Sequence, residues 1–263
     1  MAAEEIIDTH THIFPKDFPA DPHGLHKPEE DFTAEQLLKV FGDNGVKHAA
    51  IVAPSFLGTY NDYFIRALLQ HPQLRGTAIL EPDVSPYDLR AMDREGMVGV
   101  RLSWRGRKEL PDLTDVTWQR FFWRLADLGW HAHLHIEGQR IPQVLPQLLK
   151  MPMTLVVDHL GRPDPATGAE SEGFKALLGG FDSGKMLVKL SGGFRIGCDP
   201  KPLVERLMEV GGPEHLAWGS DCPFTDFADK VSYGNVLAAY REWVPKAKDR
   251  ATIAAVSRKL LKL

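Results

Sequence analysis

Short apolar runs and amphipathic stretches alternate about eight times along this chain of 263 residues. Each apolar run has the length of one buried strand, and each following stretch carries apolar residues at helical spacing. The predicted strands are 6–12, 48–53, 75–81, 97–104, 130–136, 153–159, 186–190 and 216–219. Because strands separated by helices pair in parallel with right-handed crossovers, the pattern predicts an α/β fold.

Eight strand–helix units close most naturally into a (β/α)₈ barrel, which typically needs about 250 residues. A doubly wound open sheet is the alternative. That fold usually has a glycine-rich phosphate turn after its first strand, whereas this first strand ends in His10 and His12. No linker or shift in composition divides the chain, so we predict a single barrel domain over residues 1–263.

Charge and cysteine content limit the classes of partner. A net charge of −4 and an isoelectric point near 6.3 argue against a general nucleic-acid or anionic-membrane partner. No apolar run approaches the length of about 18 residues that spans a membrane, and the acidic start of the chain does not resemble a signal peptide. Cys198 and Cys222 lack CxxC spacing and suggest free thiols. We therefore expect a soluble cytoplasmic protein, with its oligomeric state left open.

The first predicted strand carries an acid and two histidines at alternate positions. Since successive side chains of a strand point to opposite faces, Asp8, His10 and His12 are predicted to share one face. Two imidazoles at a strand end can hold a divalent cation or polarise a substrate oxygen. With eleven histidines in the chain, chance is the competing explanation. Partners at other strand ends are needed to decide.

Such partners follow several other predicted strands, at the end where barrel enzymes have their active sites. They are Ser55, Arg101, Arg105, Arg107, His135, Asp158, His159, Arg195 and Asp221. Some have structural alternatives: Ser55 could cap the next helix, and Arg105 and Arg107 could be solvated loop charges, Arg105 more so. His131 and His133 are predicted to be structural. His159 and Asp221 are harder to explain in that way, because unpaired polar groups at apolar strand ends are costly.

Three motifs carry a family resemblance that covers essentially the whole chain. Asp8-x-His10-x-His12, the segment 157–163 (VDHLGRP) and the segment 218–221 (WGSD) resemble the amidohydrolase superfamily, more narrowly its lactonase group that includes 2-pyrone-4,6-dicarboxylate lactonase. The segments 54–61 and 191–195 are similar to that group as well. The paired motifs of the sixth and eighth strands are specific, while the first-strand motif is shared more widely.

The resemblance implies a reaction and a role for each residue. Asp221 would be the general base that deprotonates a water molecule, and His10, His12 and His159 would hold and polarise a lactone carbonyl. The pocket residues would be Ser55, Arg101, Arg107, His135 and Arg195. The chemistry is sound, since adjacent cations keep a carboxylate ionised and a tetrahedral intermediate needs hydrogen-bond donors. The expected substrate is a small carboxylated lactone, such as a pyrone dicarboxylate, a muconolactone or an aldonolactone.

Departures from the group concern the substrate and the metal. The loop 13–31 contains no tyrosine, which leaves Tyr60 or Tyr63 to supply one expected hydroxyl. Cys222 and Phe224 stand where pyrone lactonases tend to have Trp and His. The fourth and fifth strands contain no lysine to bridge two ions, which disfavours a binuclear centre. We expect no required cofactor. The alternative is a single divalent ion, zinc or manganese, on His10, His12 and Asp221.

Two rival functions remain open at this stage. A metal-dependent non-oxidative decarboxylase of the same superfamily also fits the first-strand motif, which continues to Ile13-x-Pro15. It would need a tightly bound ion, with a fifth-strand histidine as a further ligand. The rival from another class is a non-catalytic small-acid binding protein. Metal analysis separates the first rival, and screening of carboxylated lactones separates the second.

Overall fold

Eight parallel strands in chain order form the centre of the computed structural model, which describes residues 4–18, 20–21, 24, 26 and 28–263. The strands are β1 (Ile7–Thr11), β2 (His48–Val52), β3 (Leu74–Ala78), β4 (Met97–Ser103), β5 (His131–His135), β6 (Leu155–Val157), β7 (Met186–Leu190) and β8 (Leu216–Trp218). Each pairs with the next. The sheet closes where Asp221 N donates to His10 O and His12 N to Cys222 O, both at 2.8 Å. The predicted (β/α)₈ barrel is confirmed.

Helices follow the strands where the amphipathic stretches predict them. They are α1 (Ala34–Asn44), α2 (Asp62–Gln70), α3 (Pro86–Arg94), α4 (Val116–Asp127), α5 (Ile141–Leu148), α6 (Glu172–Gly179), α7 (Pro200–Val210), α8 (Tyr233–Trp243) and α9 (Ala247–Leu260). Helix α1 begins with a capping box, in which Thr33 and Gln36 exchange hydrogen bonds between side chain and backbone. None of the described helices is long and apolar enough to cross a membrane.

The side chains that fill the barrel change from apolar to ionisable along its axis. Near the amino ends of the strands, Ile7, Ala50 and Val98 pack together with Leu261, which follows α9. Further along, the interior holds Lys189 instead, with no solvent exposure. An apolar plug thus closes one end, and ionisable groups fill the part that leads to the carboxyl ends of the strands.

Asp8 departs from the predicted pattern. Its carboxylate accepts hydrogen bonds from Ser220 N at 2.9 Å and from the hydroxyl of Tyr233 on α8 at 2.7 Å. Burial raises the pKa of Asp8 to about 6 in spite of these donors. The prediction that Asp8 shares a face with His10 and His12 is wrong, because the register of β1 shifts between Asp8 and Thr11 and breaks the two-residue alternation.

The loop that contains residues 13–31 joins β1 to α1. Its ends are held by an isolated antiparallel bridge between Phe14 and Phe32. Residues 19, 22, 23, 25 and 27 of this loop lie outside the described residues, as do residues 1–3. Among the described ones, His26 contacts Asp226 in the loop after β8. The two loops therefore meet across the carboxyl end of the barrel.

Candidate active site

An open cavity of about 420 Å³ lies at the carboxyl ends of the strands. Its lining residues are His12, His26, Pro54, Ser55, Phe56, Arg101, Arg105, His135, His159, Arg162, Arg195, Asp221 and Thr225. Seven of the nine residues assigned to the site from the sequence are therefore brought together here. The other two, His10 and Arg107, do not line the cavity.

Asp221 is fixed by the backbone that closes the barrel. It follows β8 with a left-handed φ of 67°, and its amide donates to the carbonyl of His10. Carboxylate oxygen Oδ1 lies 3.2 Å from His12 Nε2 and 3.7 Å from His10 Nε2. The second oxygen, Oδ2, accepts from Arg195 Nε at 2.5 Å. Asp221 thus joins the first, seventh and eighth strands at one carboxylate.

The charge of Asp221 is set by competing effects. Burial alone would raise the pKa of this carboxyl, but the positive charge of Arg195 and the hydrogen bond with His12 outweigh burial. The net result is a pKa below the ordinary value of an aspartate. Asp221 is therefore ionised at neutral pH, as a general base must be.

His12 and His10 approach Asp221 in different ways. His12 Nδ1 donates to the carbonyl of Val52 at 2.7 Å, which points Nε2 at the carboxylate. His10 is fully buried beneath the cavity, and its ring lies 5.0 Å from the ring of His12 and 4.7 Å from that of His159. His10 can act on Asp221 but has no surface in the cavity.

His159 follows β6 with a φ of 53° and pairs with Ser191 through Nδ1 and Oγ at 2.9 Å. Gly192 makes this position possible, because a Cβ on Gly192 would lie 2.6 Å from that same Nδ1. His135 stands beside His159 with 5.5 Å between ring centres. Burial holds the pKa of both histidines well below the usual value, so both are neutral imidazoles.

The arginines of the cavity fall into two kinds. Arg101 and Arg195 are paired with carboxylates, Arg101 through its Nε to Asp158 Oδ2 at 3.1 Å. In the part of the chain that the structure describes, neither Arg105 nor Arg162 has a carboxylate partner within salt-bridge distance. Burial, and then the charges of Arg105 and Arg195, lower the pKa of Arg162 to about 10. Such a cluster of like charges favours an anionic ligand.

Two assignments differ from the sequence interpretation. Arg105, interpreted as a solvated charge, lines the cavity, whereas Arg107 does not, and the carbonyl of Arg107 accepts from Arg140 Nη1 at 2.6 Å. The physical reason is the turn after β4. Gly106 lies between the two arginines there with a φ of 79°, so their side chains leave the turn in different directions.

Arg162, present in the segment 157–163, was given no role from the sequence. Neither Tyr60 nor Tyr63, the two candidates for the expected hydroxyl, is among the described residues that line the cavity.

Asp158 was named from the sequence at the end of its strand but was given no role, and Lys189 was missed altogether. Asp158 and Lys189 are buried beneath the cavity with 3.5 Å between Oδ1 and Nζ. A lone lysine inside the apolar run of β7 was the available signal, since lysine is almost never fully buried without a partner.

Ligand atoms of His10, His12 and Asp221 lie within 4.8 Å of one another, and the same holds for His10, Asp158 and His159. Imidazole and carboxylate are donor types that zinc accepts, so the described residues include a potential metal-binding group. The donor types match a divalent ion. Whether they can bind one also depends on which imidazole nitrogens carry protons.

Taken together, the fold and the site define a (β/α)₈ barrel protein in which a cavity lined by arginines lies beside an ionised carboxylate. A family model described as amidohydrolase matches residues 7–261, so the chain belongs to the amidohydrolase family. The resemblance to that family noted in the sequence is confirmed.

Two relatives that match most of the chain have lactone-hydrolase names. The chain is 27% identical to a 4-sulfomuconolactone hydrolase of Hydrogenophaga intermedia, covering 94% of this chain and 84% of the relative. It is 26% identical to a 2-pyrone-4,6-dicarboxylate hydrolase of Comamonas testosteroni, covering 89% and 82%. A crystal structure from Acinetobacter baumannii, described as a probable 2-pyrone-4,6-dicarboxylic acid hydrolase with citric acid bound, has a TM-score of 0.93 at 28% identity, covering 98% and 99%.

Proposed function

We propose that this protein hydrolyses a small anionic lactone, with Asp221 as the general base. One observation carries the proposal: an ionised, buried carboxylate opens onto a cavity that also holds Arg105 and Arg162, which have no carboxylate partner among the described residues. The names of the two relatives support it, because a sulfomuconolactone and a pyrone dicarboxylate are both cyclic esters with acidic substituents. The citric acid in the Acinetobacter protein is likewise a small polyanion.

In the proposed reaction, a water molecule lies between Asp221 and the lactone carbonyl carbon. As the water oxygen bonds to that carbon, its proton passes to Asp221, and the carbonyl oxygen becomes an oxyanion. Collapse of this intermediate re-forms the carbonyl and breaks the bond from carbon to the ring oxygen. The ring oxygen then takes the proton from Asp221. The products are a carboxylic acid and a hydroxyl group on one open chain.

His159 supplies a donor for the oxyanion in this scheme, whereas Nε2 of His12 is turned towards Asp221. His12 and His159 both line the cavity beside Asp221. When the hydroxyl of Ser191 donates to His159 Nδ1, the proton of the neutral imidazole is left on Nε2, where it can be donated. Preorganised donors of this kind typically contribute about 10²–10³-fold in rate each.

The unpaired arginines bind the acidic substituent in this proposal. Guanidinium groups match carboxylate and sulfonate oxygens with two parallel hydrogen bonds. Arg105 and Arg162 take the role that the sequence interpretation assigned to Arg107. Ser55 and His135 complete the lining of the cavity. We infer that no metal ion is required, since Arg195 already neutralises Asp221 at 2.5 Å.

A panel of lactones tests the function. Carboxylated lactones and neutral lactones of the same ring size are incubated with the protein, and ring opening is followed by acid release. We expect turnover of anionic members, much weaker turnover of neutral ones, and none with Asp221→Asn. Failure of every lactone, or equal activity of Asp221→Asn, would contradict the proposal. Preference for a neutral sugar lactone would keep the base and reject the anion site.

A further inference from the structure

Lys189 is a buried cation for which the proposed reaction has no use. It lies on β7 with no solvent exposure, directly beneath the residues that hold Asp221. Its Nζ is 2.8 Å from Thr9 O, 3.1 Å from His10 Nδ1 and 3.2 Å from His133 Nδ1. The charge is offset by Asp158, whose Oδ1 lies at 3.5 Å.

The ammonium group of Lys189 is the donor in each of these hydrogen bonds. A lysine ammonium has three N–H donors and no acceptor, and here it meets three acceptors. The buried carboxylate of Asp158, 3.5 Å from Nζ, supplies the counter-charge of the ammonium form. Nδ1 of His10 therefore accepts a hydrogen bond and carries no proton.

Asp158 is a competing hydrogen-bond partner for His10. Asp158 Oδ1 lies 3.3 Å from the same His10 Nδ1, and a proton on Nδ1 could be donated to that carboxylate. In that form Nε2 would have a free lone pair, which is the usual state of a metal-binding histidine. The geometry disfavours this second form of His10. Oδ1 of Asp158 forms no hydrogen bond with any described residue, whereas Nζ of Lys189 and Nδ1 of His10 meet the distance and angle criteria of a hydrogen bond.

The consequence appears on the other side of the ring. A neutral imidazole that accepts at Nδ1 bears its proton on Nε2, and Nε2 of His10 faces Asp221 Oδ1 at 3.7 Å. An N–H group is a donor and offers no lone pair to a metal. His12 has the opposite arrangement, because its Nδ1 donates to Val52 and its Nε2 can be freed for an ion. Metal binding by the group thus depends on His10.

We propose that Lys189 is a positioning residue: it fixes His10 as the Nε2-protonated tautomer and so keeps divalent metal ions out of the group formed by His10, His12 and Asp221. The donor types of an ion site are present in this group, but their protonation does not fit an ion. The inference rests on the proposed function only in that it concerns the same carboxylate, which it leaves free to act as a base.

The test is zinc binding, with charge removal at two lysines. Wild type, Lys189→Met and Lys185→Met are incubated with zinc, dialysed and analysed for metal. Lys185 is the matched control, since its Nζ also donates to a backbone carbonyl, that of Met151, but lies near the amino end of β7. We expect about one zinc ion per chain in Lys189→Met and only traces in the other two. Adding His10→Ala to Lys189→Met should abolish the binding.

Zinc at one equivalent in the wild type would overturn the inference, and so would equal zinc contents of Lys189→Met and wild type. Retention of zinc after His10→Ala would place the ion elsewhere and overturn it too. If Lys189→Met does not fold, ¹⁵N NMR of the His10 ring in the wild-type protein provides the test. A proton on Nε2 supports the inference, and a proton on Nδ1 refutes it. All these measurements need no lactone, so an inactive lactone panel leaves them unaffected.

Discussion

Asp158 and Asp221 are two buried carboxylates with nearly the same accessibility but different surroundings. Asp158 follows β6 and belongs to an inner network with Arg101, Lys189 and His10, and its side chain has no solvent exposure. Asp221 follows β8 and lies in the cavity wall, where one oxygen is held by Arg195 and the other is directed at imidazoles. Both are ionised, and only one can meet a substrate.

The comparison teaches that burial and charge alone do not identify a base. In the inner network, cations on two strands compensate Asp158 and use it to fix neighbouring groups. In the cavity wall, Asp221 keeps an oxygen accessible to a water molecule. Substitutions in the two regions should differ in their effects on folding, on substrate binding and on proton transfer.

The largest effect on folding is expected at Asp158. Asp158→Asn leaves Lys189 and Arg101 buried without their counter-charge, and breaking such a buried pair typically costs about 3–5 kcal/mol. Urea unfolding should show this loss in the free energy of unfolding. Asp229→Asn, at an exposed site, is the control and should stay within about 0.5 kcal/mol of wild type. Equal stabilities of the two variants would remove the inner network as a source of stability.

Substrate affinity should depend on the unpaired arginines. Arg162→Met and Arg105→Met each remove a charge-assisted contact made before and during the reaction, so KM should rise by about 10–100-fold with kcat little changed. Arg107→Met is the control from the same turn as Arg105 and should change KM less than about twofold. An equal rise in KM for Arg107→Met would restore that residue to the pocket and contradict the assignment of Arg105.

Proton transfer should depend on Arg195 in a pH-dependent manner. Asp221 must be unprotonated to act, and Arg195 lowers its pKa against the effect of burial. In Arg195→Met burial prevails and the pKa of Asp221 rises. The acidic limb of kcat/KM should therefore move to higher pH, with activity lost first at the acidic end. An unchanged pH profile would mean that Arg195 does not control the charge of the base.

Metal removal is expected to have the smallest effect. Dialysis against a chelator should leave kcat within about twofold of the untreated enzyme, because water activation is assigned to Asp221 and the oxyanion to the imidazole of His159. The measurement is steady-state turnover before and after treatment, followed by addition of zinc. Loss of activity that zinc restores would favour the metal-dependent decarboxylase type of chemistry instead.

The fold could be predicted from the sequence because each strand and helix has its own periodicity. The apolar runs and the amphipathic stretches are local signals, and the strands and helices that they predict are confirmed. The face of Asp8 could not be predicted, since a bulge in β1 depends on pairing with the neighbouring strand. One shifted residue turned Asp8 towards Tyr233 on α8.

The sequence predicts which strand ends carry the site residues, but it does not predict the direction in which each side chain points. Asp221 and His159 follow from motifs, and the structure brings them together. The exchange of Arg107 for Arg105 depends on the turn at Gly106, and side-chain direction in a turn is not encoded by a period. Lys189 was missed because its role depends on His10, which lies 179 residues away in sequence.

The central claim is that Asp221 is the base of a lactone hydrolysis, and its removal tests this most directly. Asp221→Asn preserves the shape of the side chain and removes the group that takes the proton from water. Steady-state kinetics on the best anionic lactone should show kcat lowered by about 10²–10⁴-fold with KM changed little. A variant that retains wild-type kcat, or that loses only affinity, would contradict the claim.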